Sequence, residues 1–353
     1  METAIVNITE ENQSEETIRE KIYAAGQIIQ QGGLVAFPTE TVYGLGADAL
    51  NPQASGKIYE AKGRPSDNPL IIHISHRKDL DKIAKNVPEQ ARKLAEKFWP
   101  GPLTMIFEKS EIVPLETTGG LNTVAVRMPN HPAALLLIEL GGGFIAAPSA
   151  NTSGKPSPTQ AEHVTEDMKG RIPMILDGGT VGIGIESTIV DFSEAIPMIL
   201  RPGYITAEMI QEVIGEVRID PGLITEDAKV HPKAPGMKYR HYAPKADLIL
   251  VSGSRERVQE KINELAKKAA KEGKTVGIIG TEETKSGYQY GLVKSIGTRT
   301  DAASIARHLY GILREFDQLD VEMIYSESFS VSGIGQAIRN RMLKAAGHQV
   351  IEV

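Results

Sequence analysis

Leu34-Val-Ala-Phe37 runs directly into Pro38-Thr-Glu-Thr-Val-Tyr-Gly-Leu-Gly46, and this junction decides the fold. Four apolar residues without polar alternation read as a short strand buried on both faces, the kind found in sheets sandwiched by helices. Polar Thr39, Glu40, Thr41 and Tyr43 then follow at once. In open α/β sheets the carboxyl ends of strands are where ligands sit. Position alone leaves two readings equally open, an ordinary strand-to-loop turn and a binding site.

Working outward, Ser14 and two glutamates open an amphipathic helix with Ile18, Ile22, Ala25 and Ile29 on one face, stopped by Gly32-Gly33. A second helix spans Pro52 to Lys62 and ends at Gly63. Strands follow at Leu70–Ile74, Leu103–Phe107, Val124–Met128, Phe144–Pro148, Met174–Leu176, Thr188–Phe192 and Met198–Leu200. Helices are read at Pro88–Phe98, Pro132–Leu140 and Thr206–Ile214, the last stopped by Gly215. Strands outnumber helices and do not alternate strictly with them, so a twisted mixed sheet flanked by helices is predicted.

From Glu216 to Ala246 the periodicity disappears among Pro221, Pro232, Pro235, Gly236 and Pro244. Loops of that length are functional or linking. Beyond it, strands at Leu248–Val251, Thr275–Ile279, Leu292–Ile296 and Val321–Tyr325 alternate with helices at Arg255–Glu272, Ala302–Phe316 and Gln336–Ala346. That alternation predicts a smaller, Rossmann-like parallel α/β domain. The expected domains are therefore 1–215, a linker at 216–246 and 247–353.

Composition removes several function classes. The chain has no cysteine, which excludes disulfides, thiolate catalysis and cysteine-based metal sites. Acidic residues outnumber basic ones by 45 to 39, which weighs against a broad nucleic-acid surface and against direct tRNA contact. Met1–Glu16 is polar and acidic, unlike a signal peptide, and no apolar run is long enough to span a bilayer. A cytoplasmic protein with no membrane association is expected.

The charged and hydroxyl residues near strand ends carry the chemistry. Lys62-Gly-Arg64-Pro65 sets two cations at a helix end, where the dipole alone also favours them. His73 ends an apolar strand, a position more often held by a hydrogen-bonded core histidine than by a catalyst. Arg127 closes Val124-Ala-Val and needs an anionic partner, either an internal carboxylate or that of a substrate. Ala147-Pro-Ser149-Ala-Asn151-Thr-Ser153 and Glu186-Ser-Thr188 add small polar groups, and Arg201-Pro-Gly203 a fourth cation. In an acidic chain, one polyanionic ligand explains this set better than separate coincidences. Neither standard phosphate cradle is complete: Ser153-Gly-Lys155-Pro156 lacks a P-loop's upstream glycine and its Ser or Thr, and Gly333-Ile-Gly335 lacks its third glycine.

In order, Pro38-Thr-Glu-Thr-Val-Tyr-Gly-Leu45, Lys62-x-Arg64-Pro65, Asn68-Pro-Leu70, Ser149-x-Asn151, Glu186-Ser-Thr188 and Arg201-Pro-Gly203 resemble the YrdC-type threonylcarbamoyl-AMP synthases over about residues 15–215. Pro235-Gly-Met-Lys-Tyr-Arg-His-Tyr-Ala-Pro244 and the domain after it resemble the longer, two-domain branch. The resemblance implies an L-threonylcarbamoyladenylate synthase, a nucleotidyltransferase using L-threonine, bicarbonate and ATP. Downstream threonylcarbamoyl-transferring machinery would act on tRNA next to the anticodon. By resemblance, Lys62 and Arg64 are catalytic, and Thr39, His73, Arg127, Ala147 and Ser187 hold threonine. Lys62, Arg64, Ser66, Thr123, Ser149, Asn151, Ser157, Arg201 and Tyr242 would hold ATP. Mg2+ would ride mainly on the ATP phosphates, with no protein metal site. The segment Pro235–Pro244, with Tyr239, Arg240, His241 and Tyr242, is the expected lid.

Overall fold

The computed structural model describes residues 1–9, 13–223, 241–329 and 332–353. Most of the expected lid, Pro235–Arg240, lies outside the described residues. The chain divides into two compact units, Met1–Ser153, Ser157–Gly182 and Glu186–Lys238 forming one, and Gly154–Pro156, Ile183–Ile185 and Tyr239–Val353 the other.

In chain order the first unit carries Ala4–Asn7 (β1), Glu15–Gln30 (α1), Val35–Phe37 (β2), Gly44–Asp48 (β3), Pro52–Lys62 (α2) and Ile71–Ile74 (β4). Leu80–Ile83 (α3), Ala84–Lys85 (β5), Glu89–Phe98 (α4), Leu103–Lys109 (β6) and Thr123–Arg127 (β7) come next. Pro132–Leu140 (α5), Phe144–Ala146 (β8), Ala161–Met168 (α6), Met174–Asp177 (β9), Thr188–Asp191 (β10), Met198–Arg201 (β11), Ala207–Ile214 (α7) and Arg218–Ile219 (β12) complete it. Among the described residues these strands form one mixed twelve-stranded sheet, ordered β1-β9-β2-β3-β8-β4-β7-β6-β10-β11-β12, with β5 on β6.

Local chemistry explains the boundaries. Ser14 caps α1, its hydroxyl accepting from the Thr17 amide at 3.2 Å. Asn51 caps α2 through the amides of Gln53 and Ala54, and Gly63 ends it in the left-handed region at φ 60°. That stop leaves Lys62 on the last turn of α2 and directs the chain toward β4.

Two cores hold the sheet. One face packs Ile22, Ala25 and Ile29 of α1 and Leu137 and Ile138 of α5 against Val35, Phe37 and Ile145. The opposite face carries the larger core, where Ile72, Ile74, Met105, Phe107, Val124 and Val126 meet residues of α2, α4 and α6. Most apolar strands are therefore buried on both faces, as their unalternating sequences require.

The second unit is a five-stranded parallel sheet. Its strands are Asp247–Ser252 (β13), Val276–Gly280 (β14), Leu292–Ser295 (β15), Met323–Glu327 (β16) and Val350–Glu352 (β17), in the order β15-β14-β16-β13-β17. Helices Arg255–Lys271 (α8), Ala302–Gln318 (α9) and Ile334–Ala345 (α10) connect them. Gly333, at φ 54°, opens α10 as a tight turn. No helix among the described residues is long and apolar enough to cross a membrane.

Candidate active site

The site grows out of the register of the first sheet. His73 pairs with Ile145 on one side and Arg127 on the other, Arg127 with Thr104, and Thr104 with Ile189, which pairs with Arg201. Directly paired residues present their side chains on the same face. Two residues away along three of these strands the same face carries Ile71, Ala125 and Ile106, which form a buried cluster with Ile189 and Leu200. An apolar floor thus lies beside a polar row of His73, Arg127, Thr104, Ser187 and Arg201.

The Thr39–Tyr43 loop meets this row. It leaves β2 beside Gly44, which bridges to Ser149, and it reaches the Arg127 guanidinium. Inside the loop the Thr39 hydroxyl donates to the Val42 carbonyl at 2.7 Å and accepts from the Thr41 and Val42 amides at 3.1 and 3.3 Å. This side chain turn fixes Thr41, whose hydroxyl accepts from Arg127 Nη2 at 2.9 Å. Glu40 Oε2 lies 2.8 Å from the same Nη2 as an ion pair, but off the direction of its N–H bonds, so neither Glu40 oxygen has a hydrogen-bond donor among the described residues. The internal carboxylate that the buried arginine requires is therefore Glu40.

His73 is 3% exposed and its Nδ1 lies 3.1 Å from the Ile71 carbonyl. Burial, reinforced by the Arg127 charge, pushes its imidazole down to about 3, so it is neutral at ordinary pH. His131, next to this cluster, is likewise lowered by burial, with the Glu40 charge acting against the shift. Ser187 holds the far end of the row, 2.7 Å from the Thr104 hydroxyl and accepting from Arg201 Nη2 at 3.1 Å. Arg201 Nε also donates to the Ser187 carbonyl at 3.0 Å.

Lys62, 2% exposed, joins α2 to the loop after β8, its ammonium donating to the carbonyls of Ser149 and Asn151. The Ser149 hydroxyl donates to Asn151 Oδ1 at 2.5 Å. Arg64 donates through Nε to the Asn68 carbonyl and through Nη2 to that of Pro69, at 3.3 and 3.2 Å. Ser157 donates to Glu186 at 2.5 Å, both residues being buried. Ala147 is buried and its amide donates to the Ile71 carbonyl at 2.9 Å.

His73, Arg127, Ser187 and Arg201 thus share one face, the loop that Thr39 organises meets it at Arg127, and Lys62, Ser149 and Asn151 form a hydrogen-bonded group beside the same loop. Ser66 is exposed in the turn after Arg64. Thr123 begins β7 four residues before Arg127, so their backbones stand about 13 Å apart at opposite ends of the strand. Tyr242 belongs to the second unit, where its ring packs 5.3 Å from that of Tyr310. Thr104 and His131 carried no sequence signal, and Glu40, visible in the motif, had no assigned role. Their partners lie far away in the chain, and only register brings them together.

Residues 27–203 match the family model Sua5_yciO_yrdC, described as telomere recombination. Residues 205–347 match one described as threonylcarbamoyl-AMP synthase, C-terminal domain. A threonylcarbamoyl-AMP synthase of Pyrococcus abyssi is 51% identical, over 99% of this chain and 100% of that one. One from Bacillus subtilis is 51% identical, over 94% of each. The crystal structure of P. abyssi Sua5 complexed with L-threonine superposes with a TM-score of 0.93 at 50% identity, covering 99% of both chains. Fold and site define an α/β protein whose larger unit sets buried cations and hydroxyls around one face of a mixed sheet. The chain belongs to the two-domain, YrdC-type threonylcarbamoyl-AMP synthase family, enzymes of nucleotidyl transfer.

Proposed function

We propose that the chain is an L-threonylcarbamoyladenylate synthase of the cytoplasm, converting L-threonine, bicarbonate and ATP into threonylcarbamoyl-AMP and pyrophosphate. The product would feed downstream proteins that modify the tRNA adenosine beside the anticodon. The observation that carries this reading is the approach of Arg127 to the Thr39–Thr41 loop on the sheet face that also holds Ser187 and Arg201, with Lys62 anchored alongside. The family resemblance and the threonine complex of the Pyrococcus abyssi relative support the choice of substrate.

In this reading Arg127 holds the threonine carboxylate, with Thr39, His73, Ala147 and Ser187 lining the pocket. A neutral His73 suits a hydrogen bond to the threonine hydroxyl rather than a second charge. Lys62, Arg64 and Arg201 neutralise the phosphates, and Ser66, Thr123, Ser149, Asn151 and Ser157 complete the nucleotide contacts of the first unit. Magnesium enters as part of the MgATP substrate. Phosphate oxygens and water would supply its coordination.

The threonine ammonium first gives up one proton, and the resulting amine forms an N–C bond to carbon dioxide derived from bicarbonate, releasing a second proton and leaving a carbamate. A carbamate oxygen then bonds to the α-phosphorus as the bond to the departing pyrophosphate breaks. Such a transfer needs positioning and charge neutralisation more than covalent help from the protein, which fits a site of buried cations and hydroxyls.

The test is pyrophosphate release from MgATP with each amino acid added in turn, with and without bicarbonate. Release requiring both threonine and bicarbonate is expected. Release with threonine but without bicarbonate would make the protein a plain amino-acid adenylating enzyme, and no release under any condition would overturn the reading.

A further inference from the structure

We propose that Glu40 receives the ammonium group of the bound amino acid, so that Glu40 and Arg127 form a clamp for a zwitterion. This rests on the threonine reading above and deepens it.

Glu40 stands in a loop whose course is fixed by the Thr39 hydroxyl. Its side chain is 12% exposed, and that of Arg127 5%. A buried carboxylate normally accepts several hydrogen bonds, and a buried guanidinium normally spends its N–H groups on acceptors. Among the described residues both Glu40 oxygens lack a donor and Arg127 Nε lacks an acceptor, although the two charges are 2.8 Å apart. The pair is balanced in charge and deficient in hydrogen bonds.

A free amino acid supplies what is missing on both sides. Its carboxylate offers the fork of acceptors that suits a guanidinium, and its ammonium offers three donors to a carboxylate. Carboxylate and ammonium sit on one carbon, so a cation and an anion already side by side match their spacing. Arg127 alone would accept any small carboxylic acid. With Glu40 beside it, an acid lacking the amine leaves a buried carboxylate without a donor, which is the strongest basis for rejecting an analogue. The remaining polar groups here do not replace that anion: His73 is neutral, Thr41 is engaged with Arg127, and His131 Nδ1 is buried without a partner among the described residues. Glu40 is thereby a specificity-determining residue that selects amino acids over hydroxy acids of the same shape.

The test measures binding by calorimetry of L-threonine and of its 2-hydroxy analogue, 2,3-dihydroxybutanoate of matching stereochemistry. The unaltered protein and Glu40→Gln are compared, each checked for folding by thermal unfolding. The unaltered protein should prefer threonine by at least about tenfold, the ratio expected for one charged hydrogen bond. Glu40→Gln should lose most of that preference by weakening threonine, while the hydroxy acid binds as before or better. Equal binding of the two ligands by the unaltered protein overturns the proposal without any variant. Full retention of the preference in Glu40→Gln, or equal loss of both ligands, also overturns it, the latter reducing Glu40 to a support for Arg127. Binding of neither ligand by the unaltered protein would overturn the threonine reading itself, and the clamp with it.

Discussion

Replacing Arg127 with methionine keeps most of the side-chain stem and removes the cation beside Glu40, whose side chain is 12% exposed. Breaking a buried ion pair by deleting one partner costs about 3–5 kcal/mol. The pair is not aligned as a hydrogen bond and Glu40 keeps some access to water, so the lower end applies, about 3 kcal/mol. For a unit of roughly 200 residues each kcal/mol moves the melting temperature by about 2–4 °C, giving a drop of about 6–12 °C. Adding Glu40→Gln removes the stranded charge, so the double variant should regain at least about half of that loss. Threonine binding should be absent from both variants, because stability and the carboxylate contact depend on different consequences of the same arginine. Thermal unfolding by circular dichroism, with threonine titrated into the same samples, separates the two. A single variant that melts within about 1 °C of the parent, or a double variant no more stable than the single, would refute the reasoning.

Three further outcomes follow from other parts of the molecule. A Cβ at Gly203 would lie 2.4 Å from the Thr188 amide nitrogen and 2.7 Å from the Ser187 carbonyl carbon, so Gly203→Ala should displace the Ser187–Arg201 contact. It should cost about 1–3 kcal/mol and weaken ATP-dependent turnover, measured by urea unfolding and pyrophosphate release. His73 sits near 3 when folded and about 6.5 when unfolded, so within that window the unfolded chain binds the extra proton and stability falls as the pH falls. Between pH 6.5 and 4.5, His73→Gln should lose about 2–3 kcal/mol less than the parent in paired urea titrations. In the second unit, Glu327 is buried with Arg299 as its cation and the Thr284 and Tyr288 hydroxyls as donors. Arg299→Ala should therefore destabilise that unit by about 2–3 kcal/mol, while Arg299→Lys recovers part of the loss in the same unfolding experiment.

Much of the fold could be read along the chain because its elements are locally consistent. α2 begins at Pro52 and stops at Gly63, where cap chemistry places both ends, and the strands near Leu34, Leu70 and Val124 are unalternating apolar runs. Gly44–Asp48 was different, since Gly-Leu-Gly-Ala-Asp carries the composition of a loop. It pairs as β3 because its glycines admit neighbours: a Cβ at Gly46 would come within 2.9 Å of both Ile145 and Phe37. α6 was hidden because His163 and Asp167 occupy buried positions on its inward face, blurring the apolar period. The site divides the same way. Arg127 announced its need for an anion by standing in an apolar strand, but nothing local tied it to Glu40, 87 positions earlier. That pairing follows from strand register, which single-sequence patterning does not encode.

The anchoring of Lys62 has a consequence for the enzyme's own safety. A mixed anhydride of a carbamate and a phosphate is an acylating agent, and an uncharged amine beside it would be carbamoylated. The bonds from Lys62 to the carbonyls of Ser149 and Asn151 commit its nitrogen to donating, and a lysine nitrogen held as an ammonium has no lone pair to attack with. On the proposed reaction, the contacts that position this cation also keep it from becoming a victim of the product, so the protein can hold a reactive intermediate without marking itself.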